Sequence, residues 1–277
     1  MKLRNILIYA LVWALMLSLC SCRAKEISAQ AASKELIVFA ATSMTEALTR
    51  LGDAYMAENP NIRIVFNFDS SGTLKTQIEE GANVDIFISA GQKPMDQLDI
   101  GAPTEVNTDG LDFILKDTRI DILENKIVLA VPSDTPMGIQ SYDDMITRLK
   151  NGSIMLAIGN SDVPVGQYTQ KILDYYGINE FELVATGSVT YGSNVKEVTT
   201  QVSEGAVDCG IIYQTDALST GLSVVDTATK EMCGQVIYPA AVMNVSKNPE
   251  AAKAFLEYLT SDAADTVFED IGFTPVK

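Results

Sequence analysis

The fold is decided by the stretch from residue 36 to residue 89, LIVFAATSMTEALTRLGDAYMAENPNIRIVFNFDSSGTLKTQIEEGANVDIFIS. Three apolar runs within it, at residues 36–40, 62–68 and 84–89, are typical of β-strands in length and composition. The segments between them are typical of helices, with Leu48, Leu51 and Tyr55 at helical spacing in the first and residues 73–80 in the second. This β-α-β-α-β order predicts a parallel sheet with helices on its faces.

The rest of the chain continues this alternation without a low-complexity linker. Further strands are predicted at residues 126–131, 154–158, 181–185, 209–213 and 236–242, and further helices at residues 143–150, 165–176, 194–204 and 249–260. The pattern predicts an α/β protein of two lobes, each a mostly parallel sheet flanked by helices. Because no flexible segment separates the lobes, strands are expected to join them.

The composition excludes several classes of protein. The 277 residues include 20 Lys and Arg against 36 Asp and Glu, which gives a formal net charge of −16. A chain this acidic repels phosphate backbones, so nucleic acid is not an expected partner. The sequence contains no histidine, which excludes Ser-His-Asp triads, Cys-His dyads and His-ligated zinc sites.

The first residues have the pattern of an export signal followed by a tether. Lys2 and Arg4 precede an apolar run at residues 6–19, which is too short to span a bilayer and predicts a signal peptide at residues 1–21. The sequence LCSC that ends at Cys22 resembles a bacterial lipobox, with Cys22 at the lipidated position. Residues 22–34 would then be a lipidated tether on the outer face of the cytoplasmic membrane. An ordinary signal peptide with incidental cysteines is the alternative.

Four helix starts share small polar residues, glycine or proline, at residues 43–46, 70–73, 163–166 and 193–196. Each start could simply be capped, and two pairs, Ser43 with Glu46 and Asn194 with Glu197, have capping-box spacing. If the four starts instead converge on one cleft, their N–H groups would form an anion site without a charged side chain. The pattern leaves both interpretations open.

Six motifs follow one another along nearly the whole of residues 35–275: VFAATS (38–43), DSSGTL (69–74), VDIFISA (84–90), VPVGQY (163–168), GIIY with DA (210–213 and 216–217) and YP (238–239). In this combination and order, the sequence resembles the periplasmic molybdate-binding proteins of ABC importers. The resemblance implies a type II periplasmic-binding-protein fold. Residues 35–122 and 236–277 would form lobe I, residues 123–235 would form lobe II, and two crossover segments would connect them.

The resemblance also implies what the protein does. A monomeric solute-binding lipoprotein, rather than an enzyme, would capture molybdate or tungstate in the interlobe cleft and deliver it to the membrane subunits of an ABC permease. No cofactor is implied besides this ligand, and the only metal expected is the one inside the oxyanion.

Five ligand-binding residues are implied by the same resemblance. Ser43 and Ser71 match the serines of the first two strand–helix turns, Val165 and Val195 match positions whose backbone N–H groups bind the anion, and Tyr213 matches a tyrosine whose hydroxyl reaches it. Neutral donors suit a fully deprotonated tetrahedral dianion and disfavour protonated phosphate, which also needs an acceptor. Selection of molybdate over sulfate would then depend on cavity size, whereas tungstate is nearly the same size as molybdate.

Two other functions stay open. A protein of the same fold could bind sulfate or another tetrahedral oxyanion. A secreted hydrolase would instead use Ser43 or Ser71 as nucleophile with Lys75 or Lys196 as base, which requires an apolar pocket that lowers the pKa of the lysine.

The body contains two cysteines, Cys209 and Cys233. Cys209 is not expected to be a nucleophile, because no histidine can activate it. Cys209 is interpreted as a small buried residue. Whether the two form a disulfide is left open by the sequence.

Overall fold

A computed structural model describes residues 34–133 and 138–276 of the protein. The predicted signal peptide, Cys22 and the predicted tether up to residue 33 lie outside the described residues. Within the two described ranges, no helix is both long and apolar enough to cross a membrane.

The first sheet contains six strands: β1 (Lys34–Ala41), β2 (Ile62–Asp69), β3 (Ile86–Ile88), β4 (Ile120–Asn125), β10 (Val236–Val242) and β11 (Thr274–Pro275). Their order across the sheet is β11-β4-β10-β3-β1-β2. β1 pairs in parallel with both β2 and β3, which confirms the predicted β-α-β-α-β unit. β10 runs antiparallel to β3 and β4, so the complete sheet is mixed.

The second sheet contains five strands: β5 (Ile127–Val131), β6 (Leu156–Gly159), β7 (Val189–Gly192), β8 (Cys209–Tyr213) and β9 (Ser223–Thr227). Their order is β7-β6-β8-β5-β9. β6 is parallel to β7 and β8, whereas β5 is antiparallel to β8 and β9. The α/β class is therefore confirmed, with two mixed sheets rather than mostly parallel ones.

Helices flank both sheets: α1 (Thr45–Glu58), α2 (Ser71–Glu79), α3 (Gln92–Asp96), α4 (Tyr142–Lys150), α5 (Pro164–Tyr175), α6 (Glu180–Ala185), α7 (Val195–Ser203), α8 (Gln214–Thr220), α9 (Lys230–Cys233), α10 (Pro249–Tyr258) and α11 (Asp262–Ile271). A single 3-10 turn, Thr42–Met44, leads from β1 into α1.

One strand prediction is wrong, because residues 181–185 form most of helix α6. The side chain of Asn179 caps this helix by accepting a hydrogen bond from the backbone N–H of Phe181 at 3.0 Å. Phe181 itself is 84% exposed, and only Leu183 of the apolar run that suggested a strand is buried. The next strand in the chain after β6 is β7, which pairs with β6 in place of the predicted strand. Most residues of β7 are half-buried or exposed, so its sequence lacks the apolar run by which a strand is predicted.

The first sheet is buried on both faces. Leu36, Val38 and Ala40 of β1 belong to the main apolar cluster, while Phe39 packs in a second cluster on the other face. The side chains of successive strand residues point to opposite faces of the sheet. A strand that is buried on both faces therefore needs apolar residues at every position and not only at every second one.

Two segments connect the sheets. β4 ends at Asn125 and β5 begins at Ile127, so the chain passes from the first sheet to the second at Lys126. It returns through α9, between Thr227 and Val236. Val236 pairs with Asn125, so the two connections lie side by side. The lobe boundaries at 122/123 and 235/236 stay a prediction.

Candidate functional site

A small cavity lies between the two sheets, where strands end and helices begin. It is lined by Ala41, Thr42, Ser43, Asp69, Ser70, Ser71, Ala90, Val163, Pro164, Val195 and Tyr213. The carboxyl ends of parallel strands lie at one edge of a sheet, and the turns that follow them therefore converge here. The cavity volume is about 10 Å³, which is enough for about one water molecule. A tetrahedral anion is larger, so binding one requires the walls to move apart.

Four of the five predicted ligand-binding residues line this cavity: Ser43, Ser71, Val195 and Tyr213. Val165 is not among the lining residues, but it is fully buried on the first turn of α5, beside Pro164, which does line the cavity. The structure thus brings together the four helix starts that the sequence analysis singled out. Their role in binding stays a prediction.

Ser71 is the first residue of α2, and its hydroxyl is already engaged as an acceptor. Its Oγ accepts a hydrogen bond from the backbone N–H of Ala90 at 2.9 Å. The preceding Ser70 caps the helix by accepting from the N–H of Thr73 at 3.1 Å. Because the Ser71 hydroxyl is the acceptor in its bond with Ala90, its hydrogen remains for another partner.

Ser43 does not form the capping box that its spacing with Glu46 predicts, so this prediction is wrong. The helix begins after Met44, and no side chain of the described residues caps it. The Oγ of Ser43 lies instead 3.0 Å from the hydroxyl oxygen of Tyr238, which is 195 residues later in the chain. This long-range contact keeps the Ser43 hydroxyl at the cavity.

Tyr238 belongs to a short polar network around the connection between the sheets. Asn125, the last residue of β4, donates from Nδ2 to the hydroxyl of Tyr238 at 3.1 Å and to Oγ1 of Thr215 at 3.0 Å. All three residues are buried. The network therefore joins β4 and β10 of the first sheet to α8, which follows β8 of the second sheet.

Tyr213 brings the second sheet to the cavity. It is the last residue of β8, is 1% exposed, and its hydroxyl donates to the carbonyl oxygen of Ala90 at 3.4 Å. Its ring packs edge-on against Tyr238, with 5.8 Å between the ring centroids. Burial raises the pKa of Tyr213 well above its usual range, with a smaller contribution from Tyr238. The phenol thus keeps its proton and can act as a donor.

The two helix starts from the second sheet differ in how they are capped. At α7, the side chain of Asn194 accepts from the N–H of Glu197 at 3.1 Å, and the carboxylate of Glu197 accepts from the N–H of Ser193 at 2.7 Å. This confirms the capping box predicted at residues 194 and 197. At α5, no described side chain caps the start. The first-turn N–H groups of α5 are therefore the better candidates for binding an anion.

Two residues at or behind the cavity were missed by sequence reasoning. Thr42 lines the cavity, and its buried Oγ1 has no hydrogen-bond partner within the described residues. Asp216, on the first turn of α8, is buried, and its Oδ2 has no partner within the same ranges. Burial raises the pKa of Asp216 to about 7, although the charge of Lys196 opposes the rise. Only tertiary burial distinguishes these two residues from ordinary helix-start residues.

The cavity lining contains hydroxyl and N–H donors, and no lysine or arginine is among its described residues. Among the described residues that line the cavity, Asp69 is the one acidic residue, and its Oδ1 accepts from the N–H of Ser70 at 2.7 Å. Lys196 lies in an open cleft that adjoins the cavity and shares Thr42 and Asp69 with its lining. Within the part of the chain that the structure describes, no cluster of His, Cys, Asp or Glu could hold a metal ion.

Neither a lysine base nor a cysteine nucleophile is placed at the cavity. Lys75 forms an ion pair with Glu79 at 2.7 Å. Cys209 and Cys233 are both buried as free thiols, and burial raises the pKa of the Cys209 thiol well above its usual range. A thiol held in this way is inert, in agreement with the interpretation of Cys209 as a core residue.

The chain is similar to known proteins over most of its length. Residues 36–274 match the family described as bacterial extracellular solute-binding protein. The molybdate-binding protein ModA of Haemophilus influenzae is 33% identical over 250 residues, which cover 88% of this chain and 91% of that protein. YvgL of Bacillus subtilis, whose name describes it as a substrate-binding lipoprotein of an ABC transporter, is 32% identical over 241 residues and 86% of each chain.

A solved structure shows the same fold. The periplasmic molybdate-binding protein of Azotobacter vinelandii has a TM-score of 0.72 at 20% identity, covering 87% of this chain and 100% of that one. The extent of the family match and the similarity of the fold lead to one assignment: this chain belongs to the family of bacterial extracellular solute-binding proteins.

Proposed function

We propose that this solute-binding protein captures molybdate or tungstate in the cavity between its two sheets and delivers the anion to an ABC permease. One observation carries the proposal: the described residues of the cavity offer neutral hydroxyl and N–H donors from both sheets, without a lysine or arginine. The name of the relative from Haemophilus influenzae supports the same class of ligand.

Neutral donors suit a dianion for two physical reasons. Every oxygen of molybdate only accepts hydrogen bonds, so each donor that points inward finds a partner. A buried lysine or arginine would add a desolvation cost that hydroxyl and N–H dipoles avoid. We assign the hydroxyls of Ser43, Ser71 and Tyr213 and the N–H groups of Val165 and Val195 as the donors. The single hydrogen of Tyr213, which is directed to the Ala90 carbonyl at 3.4 Å in this structure, would turn to the anion.

The donors come from elements of both sheets, and this supports binding by closure. Ser71 belongs to α2, which follows β2 of the first sheet, whereas Tyr213 ends a strand of the second. An anion that contacts both groups stabilises the arrangement in which they are close. Because the cavity is small in this arrangement, the anion would enter when the halves are apart.

We also propose that the protein is a monomer anchored to the outer face of the membrane through acyl chains on Cys22. Two chains give firm attachment, and a following tether of about ten residues would leave the body free to reach a permease. The lipobox-like sequence and the lipoprotein name of YvgL support this anchoring.

Calorimetric titration of the purified protein with molybdate, tungstate, sulfate and phosphate tests the ligand assignment. We expect saturable binding of molybdate and tungstate with much weaker binding of sulfate and phosphate. Equal binding of sulfate and molybdate would favour a general sulfate-type oxyanion carrier. Absence of binding by all four anions would contradict the proposed function.

A further inference from the structure

The side-chain amide of Asn125 has a fixed orientation. Its Oδ1 accepts a hydrogen bond from the backbone N–H of Lys126 at 2.8 Å. If the amide were rotated by half a turn, its NH2 group would face that N–H, and two donors would meet. The Nδ2 group therefore faces the opposite side, where it donates to Tyr238 and Thr215.

This orientation determines the direction of the next hydrogen bond. The hydroxyl oxygen of Tyr238 accepts from Asn125, so its single hydrogen is left for another acceptor. The Oγ of Ser43 lies 3.0 Å away. Tyr238 is fully buried, and burial raises its pKa well above the usual range, so the phenol keeps this hydrogen. The 3.0 Å distance allows either hydroxyl to donate, and the donation from Asn125 to the Tyr238 oxygen favours Tyr238 as the donor and Ser43 as the acceptor.

Ser43 is consequently in the same situation as Ser71. The Oγ of Ser71 accepts from the N–H of Ala90, and in the favoured direction the Oγ of Ser43 accepts from Tyr238. Since the oxygen of each serine accepts one of these bonds, its hydrogen is left for a partner other than that donor. Both serines line the cavity, where a ligand could be that partner. A serine without such a donor could rotate and accept a hydrogen bond from a protonated ligand.

We infer that Asn125 and Tyr238 are positioning residues that fix the Ser43 hydroxyl as a donor, and that this directed chain of hydrogen bonds excludes protonated oxyanions from the cavity. The inference rests on the proposed function, since it assumes that an oxyanion binds at Ser43. It assigns part of the selectivity to two residues that do not line the cavity.

Two variants test the chain at mildly alkaline pH, where phosphate is mainly the dianion HPO4²⁻ and carries the same charge as molybdate but one O–H. Tyr238→Phe frees Ser43 to rotate. Asn125→Asp offers an acceptor to Tyr238 and reverses the chain, so that Ser43 must donate to Tyr238 and present a lone pair to the ligand. In both variants we expect molybdate affinity to fall about tenfold and the ratio of phosphate to molybdate affinity to rise.

Matched controls distinguish three effects of the variants: a changed direction of the hydrogen bonds, a loosened hydrogen-bond network, and the negative charge added by the aspartate. Thr215→Val removes the other acceptor of Asn125, and Tyr142→Phe removes a buried hydroxyl that has no partner within the described residues; both should leave the affinity ratio unchanged. A negative charge alone would weaken both dianions equally. In the double variant Tyr238→Phe with Asn125→Asp, the aspartate should therefore no longer alter the ratio.

The outcomes are distinct. If the unmodified protein binds molybdate, and if Tyr238→Phe and Asn125→Asp leave the affinities unchanged or lower both in equal proportion, the inference is overturned and the proposed function stands. If the unmodified protein binds no oxyanion, the proposed function fails and the inference fails with it. Circular dichroism and thermal unfolding of each variant confirm that the fold is retained, and Asn125→Asp serves if Tyr238→Phe does not fold.

Discussion

The hydroxyl oxygen of Ser71 and the backbone nitrogen of Ala90 are 2.9 Å apart, and the serine is the acceptor. This bond ties the start of α2 to the chain that leaves β3, and Ser71 is fully buried while Ala90 is 3% exposed. The same hydroxyl therefore stabilises the strand–helix turn and, through its hydrogen, is available to a ligand. Its removal should affect both stability and binding.

The variant Ser71→Ala is expected to lose about 1–3 kcal/mol of oxyanion binding free energy and a similar amount of folding free energy, because the buried N–H of Ala90 loses its acceptor. Calorimetry and urea unfolding measure the two effects. Ser141→Ala is the control, since Ser141 caps α4 by accepting from the N–H of Asp144. It should lose about 1 kcal/mol of stability and no affinity. Unchanged affinity in Ser71→Ala would remove this serine from the site.

The variant Tyr213→Phe is expected to lose about 1–2 kcal/mol of molybdate binding free energy, because one donor is lost while the ring stays in place. Its effect on stability should be small, since the bond from its hydroxyl to the Ala90 carbonyl is long, at 3.4 Å. Titration calorimetry measures the loss. Binding equal to that of the unmodified protein would show that the Tyr213 hydroxyl does not reach the anion.

The raised pKa of Asp216 predicts a pH dependence of stability. The pKa rises from 3.8 to about 7 in the folded state, so between these values the folded protein binds more protons than the unfolded chain. The contribution of this group is complete below about pH 4 and is lost as the pH rises through about 7.

The variant Asp216→Asn should remove this dependence. We expect the free energy of unfolding, measured with urea at a series of pH values, to decline less between about pH 4 and pH 7 than in the unmodified protein. Asp53→Asn, at an exposed position of α1, is the control and should leave the pH profile unchanged. Parallel profiles for Asp216→Asn and the unmodified protein would contradict the prediction.

Gly72 marks a close approach between elements of the two halves. A Cβ added at Gly72 would lie 2.1 Å from the carbonyl oxygen of Asp162, which precedes α5. Gly72→Ala should therefore hold α2 and the start of α5 apart and weaken anion binding. Gly91→Ala is a matched control, because its Cβ would make an ordinary contact of 3.4 Å with Pro164. Small-angle scattering with and without molybdate should show less compaction in Gly72→Ala only.

Lipidation is tested in a bacterial host by membrane fractionation. We expect the full-length chain to be recovered with the membrane fraction and the Cys22→Ser variant to be recovered in the soluble fraction, because the acyl chains provide the anchor. Cys20→Ser should remain anchored, since Cys20 does not occupy the predicted lipidated position. Equal partitioning of both variants would show that Cys22 is not the anchor.

The alternation of strands and helices was predictable because the spacing of apolar residues differs between strands and helices. The first strand, with Leu36, Val38 and Ala40, is an example. The antiparallel direction of β10 could not be predicted in this way, because β10 pairs with β3 and β4, which precede it by more than a hundred residues. Residues 181–185 misled the prediction because the cap from Asn179 favours a helix, and only Leu183 of this apolar run is buried.

The candidate site was predictable only in part, for a related reason. Residue types at helix starts pointed to Ser43 and Ser71, but the spacing of Ser43 and Glu46 suggested a cap. The actual partner of Ser43 is Tyr238, which no local pattern connects to it. Thr42 and Asp216 became candidates only through their burial, which is a property of the assembled fold.

The position of β10 between β3 and β4 has a consequence for biosynthesis. Until residues 236–242 have been translated, β4 and β3 lack the strand that joins them, although β1, β2 and β3 can already pair. Completion of the first sheet must therefore wait for nearly the whole polypeptide, while the intervening second sheet is contiguous in sequence and can form earlier. A nascent chain of this topology stays unfinished until late in synthesis.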